Sequence, residues 1–108
     1  MTKEELLNTI NSYYQLEYDW DGYNSMSPSK QTLNNVIRFI NNISEDSLIP
    51  KPMVGYDGTV GLYLEKDNKY LEICFDDNHA WYYSKVNIEE NYGLFKFMKP
   101  ILDLIKTF

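Results

Sequence analysis

The chain has one cysteine, one histidine and one arginine, and each scarcity excludes something. With Cys74 alone no disulfide can form inside the chain, so stability has to come from packing, and a reducing compartment suits it. A zinc site of the usual Cys and His ligands needs more such residues than Cys74 and His79 supply. Positive charge is short as well, with ten Lys and Arg against sixteen Asp and Glu, a net −6. Affinity for nucleic acid rests chiefly on Lys and Arg contacts to phosphates, so direct nucleic-acid binding is not expected. No stretch approaches the roughly 20 apolar residues that span a bilayer. Residues 1–7 show no basic segment followed by an apolar run, which is how a secretory leader begins. The expected setting is the cytoplasm, without membrane contact. The five glycines stand singly, so there is no phosphate-cradling glycine loop.

What is present fits one domain. A chain of 108 residues that is 44% apolar can bury a core without staples. Aromatic residues make up 16% of it, ten of them tyrosine. Thr2 followed by Glu5 is a capping box, and Leu6, Leu7, Ile10, Tyr13 and Tyr14 recur at helical spacing, predicting a helix over residues 3–16. Ser27 before Pro28 reads as the cap of a second helix, carried to about Ile43 by Leu33, Val36, Ile37 and Ile40.

After a loop holding Pro50 and Pro52 the period of the apolar residues changes to two. Residues 53–56 and 59–65 flank Asp57-Gly58, a hairpin signal. Residues 70–75 and 80–86 make two more strands, with turns at 66–69 and 76–79. Residues 89–108 read as helical through Leu94, Met98, Ile101, Leu102 and Ile105, with a break at Pro100. The expected fold class is α+β in the order ααββββα, a four-stranded antiparallel meander packed by helices.

Alternation then separates the faces. Val60, Leu62, Leu64, Leu71, Ile73 and Phe75 point to one side, towards the helices. Gly61, Tyr63, Glu65, Tyr70, Glu72 and Cys74 point to the other, joined by one side of Ala80-Trp81-Tyr82-Tyr83. Either that second face docks a partner or itself, or one of the helices covers it. Tyrosine and tryptophan are the usual anchors of binding surfaces.

A second feature is the segment 17–24. Glu17, Asp19 and Asp21 before Gly22 match the first half of a calcium loop, but Pro28 stands where the bidentate glutamate belongs. The commoner use of such residues is a turn in which Asp side chains cap amides. The run Asp19-Trp20-Asp21-Gly22-Tyr23, with Pro28-Ser29 shortly after, resembles a group of small bacterial and phage proteins sharing a Trp-Asp-Gly-Tyr segment before a helix. That group also has a glycine-started, alternating strand ending in glutamate, as at residues 58–65, and a late tyrosine pair like Tyr82-Tyr83. The resemblance spans residues 17–84. No activity is established for the group, so it implies no catalytic residues and points instead to a mobile-element or toxin-partner role.

Catalytic constellations are thin. Cys74 and His79 with Asp76 or Asp77 make a conceivable thiol–imidazole arrangement across a hairpin end. The commoner readings are a packing cysteine and a solvated turn histidine. No catalytic residue, metal ligand or cofactor is assigned. The expected function is a non-enzymatic interaction protein of the inhibitor, antitoxin or immunity type, or a phage-encoded anti-defence protein, masking a protein partner of basic charge. Its contact residues are Trp20, Asp21 and Tyr23 in the loop and Tyr63, Tyr70 and Trp81 on or near the sheet. The alternatives are a ligand-binding protein or enzyme with a pocket between loop and sheet, a homodimer or larger homo-oligomer, and an acidic mimic of nucleic acid.

Overall fold

A computed structural model describes residues 1–108. The first helix, α1 (Lys3–Ser12), starts at the expected capping box: the Glu5 amide donates to Thr2 Oγ1 and the Thr2 amide to Glu5 Oε1, each at 3.1 Å. It tightens into a 3-10 turn over Tyr13–Gln15. The second helix, α2 (Lys30–Asn41), is capped by Ser29 and not by Ser27. Ser29 Oγ accepts from the Thr32 amide at 3.0 Å. Pro28 therefore precedes the cap, where it is buried.

Five strands follow, β1 (Lys51–Val54), β2 (Val60–Lys66), β3 (Lys69–Phe75), β4 (Ala80–Val86) and β5 (Glu89–Phe95), each antiparallel to the next in sequence. Pro52 sits in β1, an edge strand, where a missing amide hydrogen costs little. The short helix α3 (Lys99–Ile105) closes the chain.

The fold is thus α+β, with one strand more than the expected four. The segment read as the first half of a terminal helix is β5. Asn87 takes a left-handed φ of 58°, and with Ile88 it turns the chain back so that Glu89 pairs with Val86 and Phe95 with Ala80. Gly93 and Asn91 disfavour a helix there, and pairing satisfies the backbone along β4. Pro100, expected to break a helix, begins one: within the first turn its amide would have no intrahelical partner.

All three helices lie on one side of the sheet. Leu6 and Ile10 of α1, Leu33, Val36, Phe39 and Ile40 of α2, and Ile101 and Ile105 of α3 share one core with Val60, Leu62, Leu71, Ile73 and Phe75. Each such side chain, fully buried, contributes about 2 kcal/mol. Lysines secure the helix ends where free carbonyls gather. Lys3 Nζ donates to Asn41 O and Ile43 O at 3.2 and 2.9 Å, and Lys69 Nζ to Thr107 O at 2.7 Å.

Phe39 is fully buried against Phe75 and Phe95, with centroids 5.5 and 6.2 Å away. Phe39→Ala is expected to lower unfolding free energy by about 3–5 kcal/mol in urea titrations. Phe97→Ala, at a side chain 79% exposed, should change it by less than about 0.5 kcal/mol. Equal effects would contradict this core.

Candidate functional site

The strand register arranges the uncovered face of the sheet in three rows running across the strands. The first is Met53, Gly61, Cys74, Trp81 and Leu94; the second is Lys51, Tyr63, Glu72, Tyr83 and Tyr92. The third is Glu65, Tyr70, Lys85 and Glu90. The face therefore grades from apolar through tyrosine to charged along the strands. With strands about 4.8 Å apart and same-face residues about 6.7 Å apart, it measures about 19 by 13 Å.

Each row has a local cause. Gly61 leaves room for Met53 to lie over it, since a Cβ there would come within 2.5 Å of Met53 Cε. Tyr70 and Tyr83 are diagonal neighbours with centroids 6.2 Å apart. Burial, and after it the Glu72 carboxylate, push the Tyr70 phenol above its ordinary value, so it stays a protonated donor. Lys85 lies 4.0 Å from Glu90, while Glu65 and Glu72 make no ion pair. Tyr92 is 78% exposed and Leu94 72% exposed.

Three expected contact residues, Tyr63, Tyr70 and Trp81, thus share one face. In β4 the register sends Trp81 and Tyr83 outward and Tyr82 inward against Ile73 and Gly93. Tyr92 and Leu94 were missed because their segment was read as helix. Their alternation with Gly93 and Phe95 behind the turn-forming Asn87 was the available signal.

The loop residues separate by role. Trp20 is half-buried and its indole N–H donates to Met26 O at 3.0 Å. Asp21 accepts from the Tyr23 amide at 2.9 Å and from the Ser25 hydroxyl. Asp19 accepts from the Asn24 amide at 2.7 Å. These carboxylates are occupied with capping the turn, as the commoner reading of the segment has it. Asp19 and Asn24 hold left-handed φ of 65° and 62°, alongside Gly22 at 79°. The Met26 amide donates to Tyr56 O at 2.7 Å, tying the loop to the tip of the β1–β2 hairpin. That tip lies at the apolar-row end of the sheet. Tyr23 there is 85% exposed and Tyr56 78% exposed.

The thiol–imidazole arrangement does not form. Cys74 faces the outer side, whereas His79 edges a cleft on the helix side with Phe75 and Phe95. Burial first, then Glu72 and Asp57, push the Cys74 thiol up to about 12, which keeps it protonated and poorly nucleophilic. No helix is long and apolar enough to cross a membrane. No family model, curated protein or solved structure matches the chain.

Two outcomes test this geometry. Iodoacetamide at pH 8 should alkylate native Cys74 roughly 10³-fold more slowly than the urea-unfolded chain, where the thiol has its ordinary value. Equal rates would contradict the raised value of this half-buried thiol. Hydrogen bonds hold Asp21, Asp57 and Asp77 below the ordinary carboxylate range, chiefly from Ser25, Thr59 and Ser29 respectively. Their stabilisation is complete above the unfolded value near 3.8 and is lost as pH falls through the lower folded values. The urea midpoint should therefore drop below about pH 4, and Asp21→Asn with Asp77→Asn should flatten the drop. A midpoint constant down to pH 2.5 would exclude these bonds.

Proposed function

We propose that this domain is a non-enzymatic interaction module that binds and masks a basic protein surface through the outer face of its sheet. The observation that carries the reading is a pair of adjacent rows, Trp81 and Leu94 in one and Tyr63, Tyr83 and Tyr92 in the next, that none of the three helices covers. Large aromatic side chains bring contact area at low entropic cost, and such residues dominate binding energy where water is excluded. Glu65, Glu72 and Glu90 outnumber Lys51 and Lys85 on this face and, in a chain of net charge −6, steer encounters towards a positive partner. The reading is that of an antitoxin, immunity protein or phage-encoded inhibitor, the role towards which the Trp-Asp-Gly-Tyr resemblance also points. Trp20 and Asp21 act in it by shaping the loop, and Tyr23 by extending the contact past the apolar row.

The test is a pull-down of tagged protein from the cells that encode it, read by mass spectrometry. A stoichiometric protein should be retained by wild type and by Phe97→Ala. Trp81→Ala and Leu94→Asp should each weaken it about 30-fold, an anchor-sized loss of about 2 kcal/mol. Retention by both face variants would overturn the assignment. A face that instead meets a second copy of itself would double the mass in light scattering, and Leu94→Asp would return it to a monomer.

A further inference from the structure

On the helix side, α2 meets the β3–β4 turn and the β5–α3 connection around a cleft of about 390 Å³. Its floor is the cluster of Phe39, Phe75 and Phe95, whose centroids lie 5.5 to 6.4 Å apart. Phe39 and Phe75 are buried there, while Phe95 is half-buried beside Met98. The rim holds the only arginine, Arg38, the only histidine, His79, and Lys96, with the amides of Asn35 and Asn78 between them.

The charge of this rim is out of keeping with the chain. Sixteen acidic residues are spread over 108 positions, yet none lines this cleft, while three other concavities of the surface each contain Asp or Glu. Arg38 and Lys96 make no ion pair. The carboxylates of the adjoining turn are held within it: Asp76 Oδ1 accepts from the amides of Asn78 and His79 at 2.8 and 2.6 Å and lies 3.5 Å from His79 Nδ1. Asp77 Oδ1 accepts from the hydroxyls of Ser29 and Thr32. Asn35 Nδ2 donates to the carbonyls of Asp76 and Asp77 at 3.3 and 3.2 Å, which fixes the turn carrying His79 against α2.

We infer that this cleft binds a small organic anion with an aromatic body, the ring against the half-buried Phe95 and Met98 and the carboxylate or phosphate between Arg38 and Lys96. An arginine fork pairs with a planar or tetrahedral oxyanion through two parallel hydrogen bonds. Ligand sites of this volume are mostly apolar, with a few converging polar groups that set orientation. The site lies on the opposite side of the sheet from the partner-binding face and stands independently of it.

The experiment is a ¹H–¹⁵N and methyl NMR titration of the full chain. Phenyl phosphate and phenylacetate are the probes, with benzyl alcohol supplying the ring without charge and inorganic phosphate the charge without ring. Saturable shifts should centre on the side-chain amides of Asn35 and Asn78, the Met98 methyl and the backbone of Phe95 and Lys96. Arg38→Gln and Lys96→Gln, both exposed positions, should weaken phenyl phosphate or phenylacetate about tenfold or more. Trp81→Ala should leave the affinity unchanged. Binding of one probe and not the other supports the site and names its headgroup. Shifts scattered over the surface, no saturable shift with either probe, or affinity indifferent to Arg38→Gln would overturn it. So would benzyl alcohol or inorganic phosphate binding as tightly as the complete probes.

Discussion

Phe39 touches Phe75 of the central strand and Phe95 at the end of the last one, so a single helical side chain spans three strands of the meander. That contact sets where the helical layer sits. With α1 and α3 filling in on the same side, the apolar alternation of β2 and β3 is satisfied by one layer only. None of the three helices lies on the other side. The other face must then meet water or another molecule, and its side chains are ones that suit both conditions.

Much of this was legible in the residues because two signals are strong here. Period-two alternation in residues 60–65 and 70–75 assigns each side chain to a face before any packing is known, and Thr2 with Glu5 marks a helix start without ambiguity. Tyr63, Tyr70 and Trp81 could be placed near one surface for that reason. The weak signal was in residues 89–95. Leu94, Met98, Ile101 and Ile105 do fall at helical spacing, and the same Leu94 also alternates as a strand residue should. Short apolar runs carry both periods. What decided between them was the hydrogen-bonding need of β4, a tertiary demand that no local window contains. The cap of α2 slid from Ser27 to Ser29 for a related reason. Ser29 is reached by the Asp77 carboxylate from a turn 48 residues away, and that partner is invisible along the chain. The cleft around Arg38 and Lys96 was illegible too, because it needs both the position of β5 and the bend before α3.

The outer face carries charge of both signs and the cleft rim no carboxylate, and the sheet keeps the two apart. Glu65, Glu72 and Glu90 share the outer rows with Lys51 and Lys85, whereas Arg38 and Lys96 stand together around the cleft between α2 and the β5–α3 connection. Exposed charges further apart than roughly 10 Å are largely screened at moderate salt. The mean negative charge of the molecule therefore does not cancel a local positive site, and a steering field on one side need not disturb an anion on the other.

Tyrosine on the outer face also answers a hazard of open sheets. A flat face of leucine or isoleucine, with β1 and β5 as unpaired edges, would invite sheet-on-sheet and edge-to-edge aggregation. Here Pro52 removes a donor from one edge, Glu89 and Glu90 charge the other, and phenol hydroxyls keep contact with water across the middle of the face. The same hydroxyls need partners once water is excluded. A burial partner for this face has to offer hydrogen-bond groups opposite Tyr63, Tyr83 and Tyr92 and an apolar surface opposite Trp81 and Leu94. The gradient from row to row thus discriminates between binders: a uniformly apolar surface would strand the hydroxyls, and a uniformly charged one would gain nothing from the indole.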